Sequence, residues 1–342
     1  MAGTRRGFVT GGTWCVDLNK MIDFWPPEDS IAEIHQIDVR GGGSGSNLAI
    51  DMKKLDPAMP VETIGIVGDD ENGRFLLSHA DSFGVDRRQM AVTRELPTQF
   101  TDCFGSKRTG RRTHIYYPGA AALLTPDHFD FAETSGRIFH LGLPGIHKLL
   151  DGPWQGDANG WVTVLKKAKA AGLTTNFELV MIEPQRLAGI IRPCLPHLDY
   201  LIVNDWEIGA LADEKTYNEG VTNIPACLVA ARHVLDKSSI GLVAVHFPKG
   251  AIAVARDGTV TQQPSVRVPQ SAIVSANGAG DAFAAGMLYG LHEGWEVRKC
   301  LALAHASAAS SLRGASTTDT VEKWQNCLQL AESWGWNDWP AQ

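Results

Sequence analysis

Asn277-Gly278-Ala279-Gly280-Asp281 runs straight into Ala282-Phe283-Ala284-Ala285-Gly286-Met287-Leu288. This is a glycine turn followed by a small, apolar stretch that can form a helix despite its internal glycine. Glycines let a ligand approach the backbone closely. A helix N-terminus carries unpaired N–H groups and a partial positive potential. The Gly278-Ala279-Gly280 turn is therefore suited to phosphate, and Asp281 stands beside that charge. A carboxylate there can accept the proton of an attacking hydroxyl that comes within hydrogen-bond reach. The same residues also read as a plain turn with Asp281 as an N-terminal helix residue, so the surroundings must decide.

Working outward, Phe8-Val9-Thr10 followed by Gly11-Gly12 reads as a first strand ending in a turn, with Asp17 just beyond it. Residues 22–40 hold Pro26, Pro27 and short apolar patches and lead into Gly41-Gly42-Gly43-Ser44-Gly45-Ser46-Asn47, an excursion from the core. A helical stripe over 48–55 and a buried strand over 61–67 come next. Further strands are expected at 137–141, 172–177, 200–203 and 240–247, with helix-compatible stretches between several of them. This alternation predicts an α/β fold in three layers, a mainly parallel central sheet flanked by helices. Residues 98–117 instead predict a hairpin, because Thr, Phe, Ile and Tyr flank the turn-prone Gly105-Ser106-Lys107-Arg108-Thr109-Gly110. With the earlier excursion it would form a small β lid from segments at approximately 18–42 and 96–118. The tail with Trp334, Trp336 and Trp339 reads as a packed terminus.

Composition narrows the function classes. The chain has 342 residues, 44% hydrophobic and 20% charged, with a net charge of -7, which suits a globular protein and argues against a general nucleic-acid surface. Six cysteines at 15, 103, 194, 227, 300 and 327 form no C-x-x-C pair, so neither a zinc site nor a disulfide framework is suggested and a cytoplasmic location is expected. Thr4-Arg5-Arg6-Gly7-Phe8-Val9 superficially resembles a twin-arginine signal, but Asp17 and Lys20 interrupt the chain before an adequate apolar region is reached. No stretch approaches the length of a membrane span.

Ordered landmarks accompany the Gly-Ala-Gly-Asp turn. They are Gly12-Thr13-Trp14-Cys15-Val16-Asp17, Gly42-Gly43-Ser44-Gly45-Ser46-Asn47-Leu48-Ala49, Gly65-Ile66-Val67-Gly68-Asp69-Asp70-Glu71-Asn72-Gly73 and Asn204-Asp205-Trp206-Glu207. In this order they resemble the ribokinase-like (phosphofructokinase B, PfkB) carbohydrate kinase family over almost the whole chain. The resemblance implies a single ribokinase-like kinase domain over 1–342, with a Rossmann-like three-layer core. It implies ATP-dependent phosphorylation of a hydroxyl on a sugar or sugar-like molecule, with Asp281 as general base and the amides of Gly278, Ala279 and Gly280 as anion hole. Substrate binding falls to Asp17, Gly42, Gly43 and Asn47. Asp17 offers an acceptor and Asn47 an amide to several hydroxyls, although each also reads locally as a turn or helix cap. Asn204 and Glu207 match the family's Asn-x-x-Glu motif, which implies Mg²⁺ and phosphate duties, with contacts through water; the plain alternative is a capping Asn204 and an exposed Glu207. Lys249, Gly250 and His305 fall where the family binds nucleotide. Lids in such kinases can pair between subunits, which leaves room for a homodimer.

The chain also departs from the pattern. Ser275-Ala276-Asn277 replaces an Asp-Thr-rich lead and removes oxygen ligands associated with a monovalent cation, which argues against potassium activation. Val245-His246-Phe247-Pro248-Lys249-Gly250 differs from the expected glycine-bearing nucleotide loop, and His305 replaces an asparagine near the nucleotide. Thr174-Thr175-Asn176-Phe177-Glu178 lacks the usual acidic strand end. A nucleoside kinase and a non-catalytic sugar or nucleotide sensor are the rival readings. A dinucleotide oxidoreductase fits poorly, since neither glycine cluster completes G-x-G-x-x-G, and there is no G-x-x-x-x-G-K-[ST] loop.

Overall fold

The computed structural model describes residues 5–109 and 112–340. Thr4 of the twin-arginine-like start and Gly110 of the expected hairpin turn lie outside the described residues. In chain order the strands are β1 (Phe8–Gly12), β2 (Cys15–Ile22), β3 (Ile34–Gly42), β4 (Val61–Gly68), β5 (Asp86–Thr93), β6 (Phe100–Ser106), β7 (Arg112–Tyr117), β8 (Ile138–Gly142), β9 (Thr174–Phe177), β10 (Tyr200–Asn204), β11 (Tyr217–Asn218), β12 (Val221–Thr222), β13 (Leu242–Phe247), β14 (Gly250–Ala255) and β15 (Val260–Pro264).

Nine strands form the central sheet in the order β15-β14-β13-β10-β9-β8-β1-β4-β5. From β13 to β5 every pairing is parallel, and β14 and β15 close one edge as antiparallel strands. Parallel strands need crossovers, and these carry the helices onto both faces. Alternate residues of one strand therefore enter different cores. Val9, Phe139, Leu201 and Val243 pack with the helices Gly160–Ala170, Pro184–Ile191 and Ile224–Asp236. Phe8, Ile138, Ile202 and Leu242 pack with the helices Ser44–Leu55, Ala279–His292 and Val297–Ser311. This is the expected three-layer α/β arrangement. The C-terminal tryptophans pack as anticipated, Trp334 and Trp336 against the second core and Trp339 edge-on to Phe247 of the first.

A second sheet, ordered β3-β2-β6-β7, stands apart from the first. Its strands lie within 15–42 and 100–117, so β2 begins three residues before the first segment expected for a lid, and β6 and β7 are the anticipated hairpin. Its register puts Arg40, Asp17, Thr101 and Tyr116 in one row and Val39, Leu18, Asp102 and Ile115 in the next. Neighbouring rows face opposite ways, so Asp17 and the apolar Val39 and Ile115 lie on different faces.

Candidate active site

The helix Ala279–His292 starts at Gly278, whose φ of 74° is the left-handed conformation that glycine adopts without steric penalty. A Cβ at this position would lie 2.5 Å from the Thr317 Cα, so the turn is closed to any other residue. No side chain caps this helix, and its first-turn amides, which have no intrahelical acceptor, face the cleft. Asp281 sits in that first turn. Asn47 Nδ2 donates to Asp281 Oδ2 at 3.0 Å, and Thr317 Oγ1 donates to Asn47 Oδ1 at 2.9 Å. Asn47 is thereby fixed at both ends of its amide and orients the carboxylate. Burial, and after it the Glu178 carboxylate, hold Asp281 well above the usual carboxylate range.

Asp17 belongs to β2 and is 9% exposed. Burial first, with the Asp281 carboxylate adding to it, pushes Asp17 up to about 6. Cys15 Sγ donates to its Oδ1 at 3.5 Å. Gly42 ends the neighbouring β3, and a Cβ there would meet Asp17 Oδ2 at 2.1 Å. Gly43 then caps the helix Ser44–Leu55, which brings Asn47 round to Asp281. Gly42→Ala must push the Asp17 carboxylate aside. A hydrogen bond to a charged group contributes about 1.5–3 kcal/mol, so on the expectation that Asp17 binds the acceptor hydroxyls, the acceptor KM should rise roughly ten- to a hundredfold while the ATP KM stays within a factor of two to three. Initial rates with each substrate varied in turn check this.

On the other side of the turn, Asn204 ends β10 and caps the helix Asp205–Ala212. Glu207 N–H donates to Asn204 Oδ1 at 2.8 Å, and Asn204 N–H donates to Glu207 Oε2 at 2.9 Å. The capping role is therefore real, but Glu207 is buried rather than exposed. Burial pushes its carboxyl up to about 7, an environment that a cation would relieve. Beside it a cavity of ≈570 Å³ is lined by Asn204, His246, Val266, Gly280, Phe283 and His305, among others, within the size range of small-ligand pockets. Phe283 lies between the two imidazoles, 4.8 Å from His246 and 5.0 Å from His305. Burial depresses both rings, to about 4 and about 3, so both are neutral at physiological pH. Lys249 and Gly250 lie at the β13–β14 turn. Lys249 is exposed and lines an adjoining cleft with Phe247 and Pro248, while Gly250 packs against Trp339.

Three groups that sequence reasoning did not single out also converge here. Glu178 follows β9 directly, lies beside Asp281, whose carboxyl it helps to raise, and accepts from His140 of β8 across 2.7 Å. Arg112, at the start of β7, donates from its guanidinium to Ser275 Oγ just before the glycine turn, tying the second sheet to that turn. Residues 174–178 were expected to lack an acidic strand end; Glu178, directly after β9, supplies one at the edge where ligands of open α/β sheets sit.

The sequence matches the pfkB family of carbohydrate kinases over residues 14–324, and the chain belongs to that family. It is a phosphotransferase acting on a hydroxyl group, and its relatives use ATP. It is 27% identical over 300 residues to the adenosine kinase of Saccharomyces cerevisiae, covering 86% of this chain and 84% of that one. Identity is 25% over 345 residues to the 5-dehydro-2-deoxygluconokinase of Shouchella clausii, covering 96% and 97%. Among solved structures, the ribokinase of Thermotoga maritima superposes with a TM-score of 0.76 at 21% identity, covering 96% of this chain and 99% of that one. The ribokinase of Arabidopsis thaliana, solved with ribose and ATP, gives the same TM-score, identity and coverage. These superpositions establish the ribokinase fold.

Proposed function

We propose that this chain is one kinase domain that transfers the terminal phosphoryl group of ATP to a hydroxyl of a sugar or sugar-like small molecule held against Asp17, Gly42, Gly43 and Asn47. The carrying observation is the position of the uncapped helix start at Gly278–Gly280, with Asp281 in its first turn, between the Asp17 side and the cavity beside Asn204. Asp281 takes the hydroxyl proton, the freed oxygen bonds to phosphorus, and the bond to the ADP oxygen breaks in line. The 278–280 amides hold the charge that gathers on the transferred group. The second sheet, built from segments at approximately 18–42 and 96–118, closes as a lid and keeps water from the reaction. Asn204, Lys249, Gly250 and His305 are assigned to the nucleotide.

The donor set fits Mg²⁺. Among the described residues no group of three or more His, Cys, Asp or Glu forms a metal cage, so an ion here would take its remaining ligands from phosphate and water. Glu207 and Asn204 would hold it through water, and it would neutralise phosphate charge. The adenosine kinase relative keeps a nucleoside acceptor in view as the second reading. ATP consumption measured with Mg²⁺ across a panel of sugars and nucleosides, with product confirmed by mass, decides between them. Binding without product throughout would replace the kinase by a sensor.

A homodimer through the lid belongs to the same proposal. The outer face of the second sheet exposes Val39, Ile115 and Ile37, the last 60% exposed, around the Lys20–Asp102 ion pair on the same face; exposed apolar side chains grouped in this way suit an interaction surface. Light scattering at micromolar concentration is expected to give twice the chain mass, and Ile37→Lys with Val39→Lys to give monomers. A monomeric parent protein would remove the dimer. The six cysteines are free and buried, which suits the reducing cytoplasm assigned here. No helix among the described residues is long and apolar enough to cross a membrane.

A further inference from the structure

Asn176, at the third position of β9, lies beside His140 on the neighbouring β8. Its amide Nδ2 donates to His140 Nδ1 at 2.9 Å. An amide N–H needs a lone pair on that nitrogen, so the proton of the neutral imidazole must sit on Nε2. His140 is fully buried, and burial lowers it to about 4, so the ring stays neutral. Its Nε2–H therefore donates to Glu178 Oε2 at 2.7 Å. The carboxyls of Glu178 and Asp281 lie close enough to interact strongly. Two carboxyl groups brought that close share a proton rather than ionise together.

We propose that Glu178 is a positioning residue for phosphoryl transfer, forming with Asp281 a two-carboxyl unit whose orientation is fixed by the chain Asn176–His140–Glu178. The proposal rests on the assignment of Asp281 as base, and it adds what governs that base. With one proton shared between the pair, Asp281 can accept the hydroxyl proton only when the shared proton resides on Glu178 or has left the site. Asn47 favours the ionised form of Asp281 by donating to it, while His140 favours the ionised form of Glu178 in the same way. Among the described residues, the other titratable groups acting on the pair are carboxyls. Asp17 reaches it from β2, Asp51 from the helix Ser44–Leu55 and Glu207 from the helix Asp205–Ala212. Each favours retention of the proton. Burial comes first in raising both Glu178 and Asp281, so the pair holds its proton to higher pH than free carboxyls do.

The sign of the effect is fixed. A neighbouring negative charge raises the pH at which Asp281 ionises, so its removal lowers that pH. Glu178→Gln keeps the side-chain shape and removes the charge. The acidic limb of the kcat/KM profile is expected to move at least one pH unit towards acid, a tenfold change in proton concentration. A second readout needs no turnover: carbon-13 titration of the carboxyls should show the Asp281 midpoint falling in Glu178→Gln, and the Glu178 midpoint falling in Asp281→Asn. The reciprocal variant serves if Glu178→Gln does not fold. A limb and midpoints unmoved in both variants overturn the proposal. Absence of turnover on every acceptor would instead count against the kinase reading, with the titration still deciding the role of Glu178.

Discussion

Asp281→Asn is expected to lower kcat by about 10²–10⁴-fold, the usual contribution of a positioned base, with the acceptor KM changed by less than about tenfold, since one contact of several is altered. Asparagine keeps the shape and the bond from Asn47, so binding should persist without transfer. The variant also carries its own control for folding. A carboxyl whose folded pKa is raised contributes stability at low pH that is lost as pH rises from its unfolded value through its folded one. Asp281 is raised by burial and by Glu178, so at pH 7 to 8 its ionisation opposes folding, and the asparagine does not ionise. Asp281→Asn should therefore melt no lower than the parent at pH 8. A kinetic loss with unchanged or higher Tm separates chemistry from damage. A transfer rate within threefold of the parent would remove Asp281 as the base.

The parts of this site that could be read from the sequence are those where local backbone chemistry dictates the residue. The 278–280 turn needs glycine at a positive φ, and the end of β3 needs glycine because Asp17 occupies the space of a Cβ. Such constraints leave a visible pattern. The central parallel strands were legible for a similar reason: burial on both faces makes them continuous apolar runs. Edge strands escaped notice. β5, Asp-Arg-Arg-Gln-Met-Ala-Val-Thr, carries too much polarity to look like a core strand, and β14 and β15 extend the sheet in antiparallel fashion beyond the alternating pattern.

Side chains that meet only in three dimensions were not legible. Glu178 gains its significance because β9 ends opposite the start of the helix Ala279–His292, and His140 because β8 lies beside β9. His140 carries no local signature, and Glu178 carries only its place directly after a parallel strand. The Asn204–Glu207 pair was legible as a motif, yet its two readings were posed as rivals, and the fold combines them. The same two side chains cap a helix and leave a buried carboxylate beside the cavity. Asn47 is similar, read as an amide for substrate hydroxyls and found to bridge Thr317 and the base.

Gly278→Ala is expected to have the second large effect, for reasons that do not involve the proton. A methyl group at this position meets the Thr317 Cα and Cβ, each at 2.5 Å, and the φ of 74° is strained for any L side chain. The backbone must move, and the amides after it move as well. Thr317 also orients Asn47, so the displacement reaches Asp281 by a second route. Loss of one donor to a developing oxyanion lowers kcat by about 10²–10³-fold, and disturbing two or three amides together should reach at least the upper end of that range. The distinguishing feature is pH. Asp281→Asn removes the ionisation that limits the rate, so its residual activity should lose the acidic limb of the parent profile. Gly278→Ala keeps the carboxyl pair, so its residual activity should retain that limb at reduced height. A Gly278→Ala enzyme with kcat within threefold of the parent would show that the turn does not hold the transferred phosphate, and the anion hole would have to be sought among the side chains of the cleft.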